Sequence, residues 1–319
     1  MAFGQAVNTY HDLGSAKVIL SLDADFTDSG PGSVRNARDF ASGRRVRDGQ
    51  VKTNRLYMVE STPTSTGSVA DHRLALNTGE IEAVAMKVAR GVGVTWQGPD
   101  ASSDFSAHDA WIDAVVRDLK SNMGSSLVVV GDQQSSAVHA LSHAINQALG
   151  NPGKTVHYTE PLEVDPVDQL QSLTELVGEM NAGRVDALLI IGGNPAYDTP
   201  SDLDFAGAME NVGYRVHMGT HTNETSELTH WHIPESHYLE SWSDSRSHTG
   251  QASIVQPLIK PLYKSKSVHD LMAILTDEPG VPGLEIVSKY WETQGIGAVA
   301  WRRSLHDGFV DGSVYPSLS

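Results

Sequence analysis

Three short apolar runs constrain the fold more than any other feature of the chain: residues 17–22 (KVILSL), 127–130 (LVVV) and 187–191 (ALLII). A strand with one wet face alternates apolar and polar residues. A run that is apolar nearly throughout is buried on both faces, as strands of a parallel sheet are. Each run is followed by a turn-forming segment and then by a helical pattern. Helices are expected over about 33–44, 80–89, 107–121, 136–149, 167–181, 203–211 and 268–275, and further strands over 55–59, 72–76 and 214–218. This alternation predicts doubly wound α/β lobes. At 319 residues the chain has room for about two domains. The Gly-, Pro- and charge-bearing stretch 150–166 is the expected boundary, giving lobes of 1–160 and 161–319, the second with a Gly- and Pro-rich tail that shows only a helical patch near Tyr290.

The two lobes read as internal repeats. Residues 19–26 (ILSLDADF) align with 188–195 (LLIIGGNP), residues 55–59 with 215–219, and the hydroxyl-rich segment 62–76 with 220–234. Two β-α-β units of this kind place a ligand at the carboxyl ends of their strands, in a cleft between lobes.

Composition excludes several function classes. There are no cysteines, so disulfides, thiolate-held iron–sulfur clusters, Cys-rich zinc sites and a Cys nucleophile are ruled out for these residues. With 23 basic and 39 acidic residues the net charge is −16, which repels phosphate backbones and argues against a nucleic-acid partner. The same charge keeps the chain soluble and suits docking to a basic partner. No apolar run approaches the roughly 18 residues of a membrane-spanning helix, so direct insertion is not expected. Residues 1–10 lack the charged and apolar regions of a signal peptide.

Candidate sites are few. Gly192, Gly193, Asn194 and Pro195 lie between a strand and a helix, where glycines let backbone amides approach a pyrophosphate. The same glycines serve a tight turn for its own geometry. The matching turn of the first lobe is Asp23-Ala24-Asp25-Phe26, whose carboxylates repel a pyrophosphate and whose Cβ atoms block close approach. Six of the 14 histidines fall between His217 and His248. His230 and His232 would share a strand face, but without further ligands they make no metal site. Ser241, Ser243, Ser245 and Ser247 near His237 lack the strand–Gly-x-Ser-x-Gly–helix elbow of a hydrolase and read as a connecting loop.

The order of elements over residues 12–276 resembles the molybdopterin oxidoreductase family. The residues that carry the match are 186–200 (DALLIIGGNPAYDTP), 232–261 (HIPESHYLESWSDSRSHTGQASIVQPLIKP) and Val69-Ala70-Asp71. The strings 20–26 (LSLDADF), 37–45 (ARDFASGRR), 66–73 (TGSVADHR) and 239–244 (LESWSD) resemble more specifically the iron–sulfur subunit of alternative complex III. The resemblance implies two Rossmann-like lobes, equivalent to the second and third domains of formate dehydrogenase/DMSO reductase-like enzymes, each holding one molybdopterin guanine dinucleotide in active members. The sequence departs from active members at the Asp23–Asp25 turn and at Glu60-Ser61, where they resemble Gly-x-Asn-Pro and Asp-Pro. That implies a cofactor-free version in which Gly192 to Pro195 are vestigial and no metal is bound. It further implies a non-catalytic scaffold in a quinol-oxidising respiratory complex on the extracytoplasmic face of a bacterial membrane. Its partners would be the other subunits and an iron–sulfur part of the same parent chain. The alternative is a bis-molybdopterin guanine dinucleotide domain of an active molybdenum oxidoreductase.

Overall fold

The computed structural model describes residues 3–46, 49, 53–96 and 106–318. The chain divides into two compact units, Met1–Leu162 with Tyr315–Ser319, and Glu163–Val314.

The first unit runs β1 (Asn8–His11), β2 (Val18–Leu22), α1 (Ser33–Ser42), β3 (Arg55–Glu60), α2 (Ser65–Ser68), β4 (His72–Ala75), α3 (Ile81–Val92), α4 (Asp109–Ser121), β5 (Ser126–Val130), α5 (Ser136–Ala148) and β6 (Val156–Thr159). Four of its strands form a parallel sheet in the order β4-β3-β2-β5. Its central strands are apolar because both faces are covered. Val18, Leu20, Leu22, Tyr57 and Val59 pack under α3, α4 and α5, while Ile19, Leu56, Leu127 and Val129 pack with Leu13 and Phe40 on the other side. Residue parity along β2 therefore divides one run between two cores.

Two strands were not visible as apolar patterns. β1 pairs antiparallel with β6, Asn8 opposite Thr159, so the stretch expected to be a connector contains a strand. They form a separate two-stranded sheet in which only Val156 of β6 enters the core as an apolar residue, so neither strand carries an apolar run. Tyr158 in β6 is packed by the rings of Phe3 and His143, and burial pushes its hydroxyl up to about 12. The amide of Leu318 donates to the Tyr158 carbonyl at 2.7 Å, which brings the end of the chain back to this unit.

The second unit runs α6 (Gln169–Asn181), β7 (Ala187–Ile191), α7 (Pro195–Asp198), α8 (Phe205–Met209), β8 (Tyr214–Gly219), α9 (Glu224–Glu227), β9 (Trp231–Pro234), β10 (Ser243–Arg246), β11 (Ala252–Val255), α10 (Val268–Leu275), α11 (Gly283–Thr293) and α12 (Ala298–Asp307). Its parallel sheet has the order β7-β8-β9. Leu188 packs against Val177 and Met180 of α6 and Phe205, Ala208 and Met209 of α8. The helix expected over 203–211 shortens to α8 because Asp204 takes φ +45° and its carboxylate caps the Gly207 amide.

The tail from Asp277 onward is more ordered than its composition implied, forming α11 and α12 and packing on a hairpin that precedes it. β10 and β11 form an antiparallel hairpin. Ala252 and Ile254 share a core with Val287 and Trp291 of α11 and with Val310. The alternating serines 243 and 245 thus lie in a strand rather than a connecting loop. Between them Asp244 accepts the indole N–H of Trp291 at 2.7 Å, and the Arg246 guanidinium lies 5.5 Å from that ring.

Candidate functional site: two strand-to-helix turns

The two turns singled out in the sequence share one hydrogen-bond pattern. In the first unit β2 is followed by Asp23, whose amide donates to the Val59 carbonyl at 2.7 Å. Asp25 then accepts the amide and the hydroxyl of Thr66 through one oxygen, at 2.9 and 2.6 Å, and the Thr27 amide donates back to the Thr66 hydroxyl at 3.1 Å. In the second unit the Gly192 amide donates to the Met218 carbonyl at 2.7 Å. Asn194 accepts the amide and hydroxyl of Thr225 at 3.1 and 2.8 Å, and the Ala196 amide donates to that hydroxyl at 3.0 Å. Each threonine lies in a one-turn helix whose preceding residue, Thr64 or Asn223, caps it through its side chain.

Strand register follows the same correspondence. Val18 pairs with Arg55 and Tyr57 with His72 in one unit; Ala187 pairs with Tyr214 and Val216 with Trp231 in the other. Arg55 therefore corresponds to Tyr214, one residue away from the Arg215 that sequence comparison aligns with it. Matching Arg with Arg favoured identity over register, and a one-residue shift in a strand exchanges its faces.

What the turns offer to solvent differs. Asp23 is 7% exposed and takes φ +61°, a conformation that costs a residue with a Cβ on the order of 1–2 kcal/mol. Its carbonyl accepts from the side chain of Gln133 at 2.7 Å and its carboxylate from Gln134 at 2.9 Å. Gly131 closes over it so tightly that a Cβ there would collide with the Asp23 carbonyl. The Ala24 amide is taken by Ser21 at 3.1 Å. The first turn is thus filled by its own polar groups.

Gly192 and Gly193 instead take φ +66° and +67°, with nothing within 4 Å of a Cβ built on Gly192 and only a Pro195 carbon at 3.9 Å from one on Gly193. Pro195 opens α7, where its missing N–H costs nothing. Asn194 has its amide nitrogen on Glu224 at 2.7 Å, which holds that carboxyl below its ordinary value. No side chain crowds the glycine pair, although the Gly192 amide is held by Met218 and the Gly193 carbonyl also accepts from Asn223 at 3.3 Å, and the Asn194 side chain is consumed by the turn. A pair of pterin dinucleotides needs two open turns. The second turn has room above its glycines, and the first does not.

The histidines hold the second turn. His217, fully buried, donates Nε2–H to the Gly193 carbonyl at 3.3 Å. Its Nδ1 lies 3.1 Å from Nδ1 of His232, so one of these two atoms carries the shared proton. Burial first, and the neighbouring His217 second, push the His232 pKa down. Gly219 is required here, since a Cβ would lie 2.8 Å from His217 Cε1. His230 does not join His232. It precedes β9, accepts the Arg215 amide at 3.0 Å and stacks on Tyr214. His221 bonds Thr220 and His143 bonds Tyr158. Among the described residues no group of three or more His, Asp or Glu is placed to hold a metal ion. The His237 ring accepts the Leu239 amide at 3.3 Å, and the Ser241 hydroxyl is directed to the His237 backbone carbonyl rather than to its ring.

Sequence reading missed Thr66, Thr225, Gln133, Gln134 and the clasp role of His217. The available signal was a hydroxyl residue at the same distance before β4 and β9. Among the described residues no helix is long and apolar enough to cross a membrane.

No family model matches the chain, and no curated protein matches its sequence. Among solved structures, acetylene hydratase from Pelobacter acetylenicus superposes with a TM-score of 0.64 at 13% identity over 97% of this chain. The match covers 53% of that enzyme, so the chain spans about half its length. The formyltransferase/hydrolase complex from Methylorubrum extorquens is more remote, with a TM-score of 0.45 at 12% identity over 79% of this chain and 72% of its own. At such identities the likeness is one of fold alone: the chain has a mixed α/β fold with parallel sheets, shared with that acetylene hydratase over the matched residues.

Proposed function

We propose that this chain is a cofactor-free, non-catalytic scaffold within a respiratory electron-transfer complex that oxidises quinol. It forms part of a larger molybdopterin oxidoreductase-like iron–sulfur subunit on the extracytoplasmic face of a bacterial membrane. Its partners are the other subunits and the cluster-bearing part of its own parent chain. The observation that carries the reading is the first turn. Where a dinucleotide needs open backbone amides, Asp23 and Asp25 present carboxylates already bonded to Gln134 and Thr66. An added pyrophosphate would meet like charge and filled space.

The second reading, a bis-molybdopterin guanine dinucleotide domain of an active molybdenum oxidoreductase, draws support from the uncrowded space above Gly192 and Gly193. Elemental analysis and pterin fluorescence after denaturation separate the two. The protein isolated from its host should contain neither molybdenum nor tungsten nor pterin, and it should co-purify with a quinol-oxidising membrane complex. Stoichiometric molybdenum with pterin would establish the second reading instead.

A further inference from the structure

The two units treat one sheet face differently. In the first, Leu20 and Leu22 are 0% exposed, beneath α3, α4 and α5, and β2 has β5 along its other edge. The positions that correspond by turn and register in the second are Leu189 and Ile191 of β7, and these are 38% and 40% exposed. Val216, which pairs with Leu189, and Tyr214 and Trp231 extend the same face, the last two exposed. Among the described residues no strand pairs with the outer edge of β7. The helices of this unit that pack on the sheet, α6 and α8, lie on the opposite face with Leu188. A parallel strand is normally covered on both faces. β7 lacks one cover and one neighbour, and this places an apolar patch beside open backbone donors and acceptors.

We infer that the outward face and free edge of β7 dock a strand-and-helix segment of a polypeptide outside these 319 residues, apolar where it meets Leu189 and Ile191 and rich in Lys and Arg along its margin. The shape follows from the first unit, where β5 and α5 occupy the corresponding place. The charge follows from composition. Residues 163–314 hold 22 acidic against 9 basic residues, a net −13 of the chain's −16. A second copy would bring another −13 to the same surface, so a basic partner is favoured over self-association. The inference rests on β7 and on the charge of its unit, and does not depend on the scaffold reading; a metal-bearing enzyme could carry the same surface.

A dye-labelled peptide with the strand–helix sequence of residues 126–148, carrying either a Lys-Lys or a Glu-Glu extension at each end, tests it by fluorescence anisotropy on the full chain. The Lys-tailed peptide should bind at least about tenfold tighter than the Glu-tailed one at low salt. Leu189→Asp and Ile191→Asp should each weaken it about tenfold or more. Because both add negative charge, non-specific attraction of a cationic peptide would go the other way. Val34→Asp, at an exposed site of the first unit, adds the same charge and should leave binding unchanged. Circular dichroism confirms that each variant is folded. Equal binding to the β7 variants and the parent, or equal binding of the two peptides, would overturn the inference. So would a dimer in sedimentation velocity that Leu189→Asp dissociates, which would make the occupant a second copy.

Discussion

Asp25 accepts both the amide and the hydroxyl of Thr66 through a single carboxylate oxygen, at 2.9 and 2.6 Å. An amide oxygen can do the same, as Asn194 does for Thr225. Asp25→Asn keeps both bonds as neutral ones and should cost about 1 kcal/mol or less. Asp25→Ala strands both Thr66 donors and should cost about 1.5–3 kcal/mol, as loss of a hydrogen bond to a charged group does. Urea denaturation of the two variants measures the contrast. Equal losses would mean that charge, rather than geometry, holds the first turn.

Gly67 faces the buried carboxylate of Glu60, which also meets Arg73 and, at 2.7 Å, the Thr64 hydroxyl. A Cβ on Gly67 would collide with that carboxylate. Gly67→Ala is expected to lose about 1–3 kcal/mol through overpacking. The denaturation midpoint should fall with little change in slope.

His232 has a folded pKa below its ordinary value near 6.5, from burial and then from His217. Its folded state prefers the neutral ring. The associated stability is present above about pH 6.5 and is lost as pH falls from there through the lower folded value. Replacing His232 by Gln should flatten stability against pH in that window. The readout is the thermal midpoint across a buffer series from pH 8 to 5. An unchanged pH slope in the variant would remove His232 as the cause.

Asp118 titrates lower in the acid range. Burial raises its carboxyl, but hydrogen bonds from Tyr57 at 2.6 Å and Arg55 at 2.5 Å outweigh burial and hold it below its ordinary value. Its contribution is present above about pH 4, the unfolded value, and disappears as pH drops through the lower folded one. Asp118→Asn should be less stable than the parent at pH 7, and the two should converge toward pH 2, as acid-unfolding curves would reveal.

The parts legible in sequence were those where burial dictates residue type. Leu20, Val128 and Leu188 sit in strands whose apolar runs announce them. The pair β1 and β6 gave no such signal, because an isolated two-stranded ladder satisfies its backbone without an apolar run. Asp204 shortened a helix by entering the left-handed region, an event that one residue's identity does not announce. At the candidate site the turns were visible through Gly192 and Asp23. Thr66 and Thr225 were not, because their role depends on partners 41 and 31 residues away.

The corner that closes each sheet restricts the order in which mutations can accumulate. In the second unit the ring of His217 occupies the space a side chain at position 219 would need. In the first unit the corresponding strand carries Met58 and a carboxylate at Glu60, and Gly67 yields the room. A lineage could not acquire the acidic residue at 219 while keeping the imidazole at 217. Filling position 67 before losing Glu60 carries the overpacking cost of Gly67→Ala. Each corner is a pair of coupled positions with an unfavourable single-step intermediate, so the two units would drift within their own solutions and rarely exchange them.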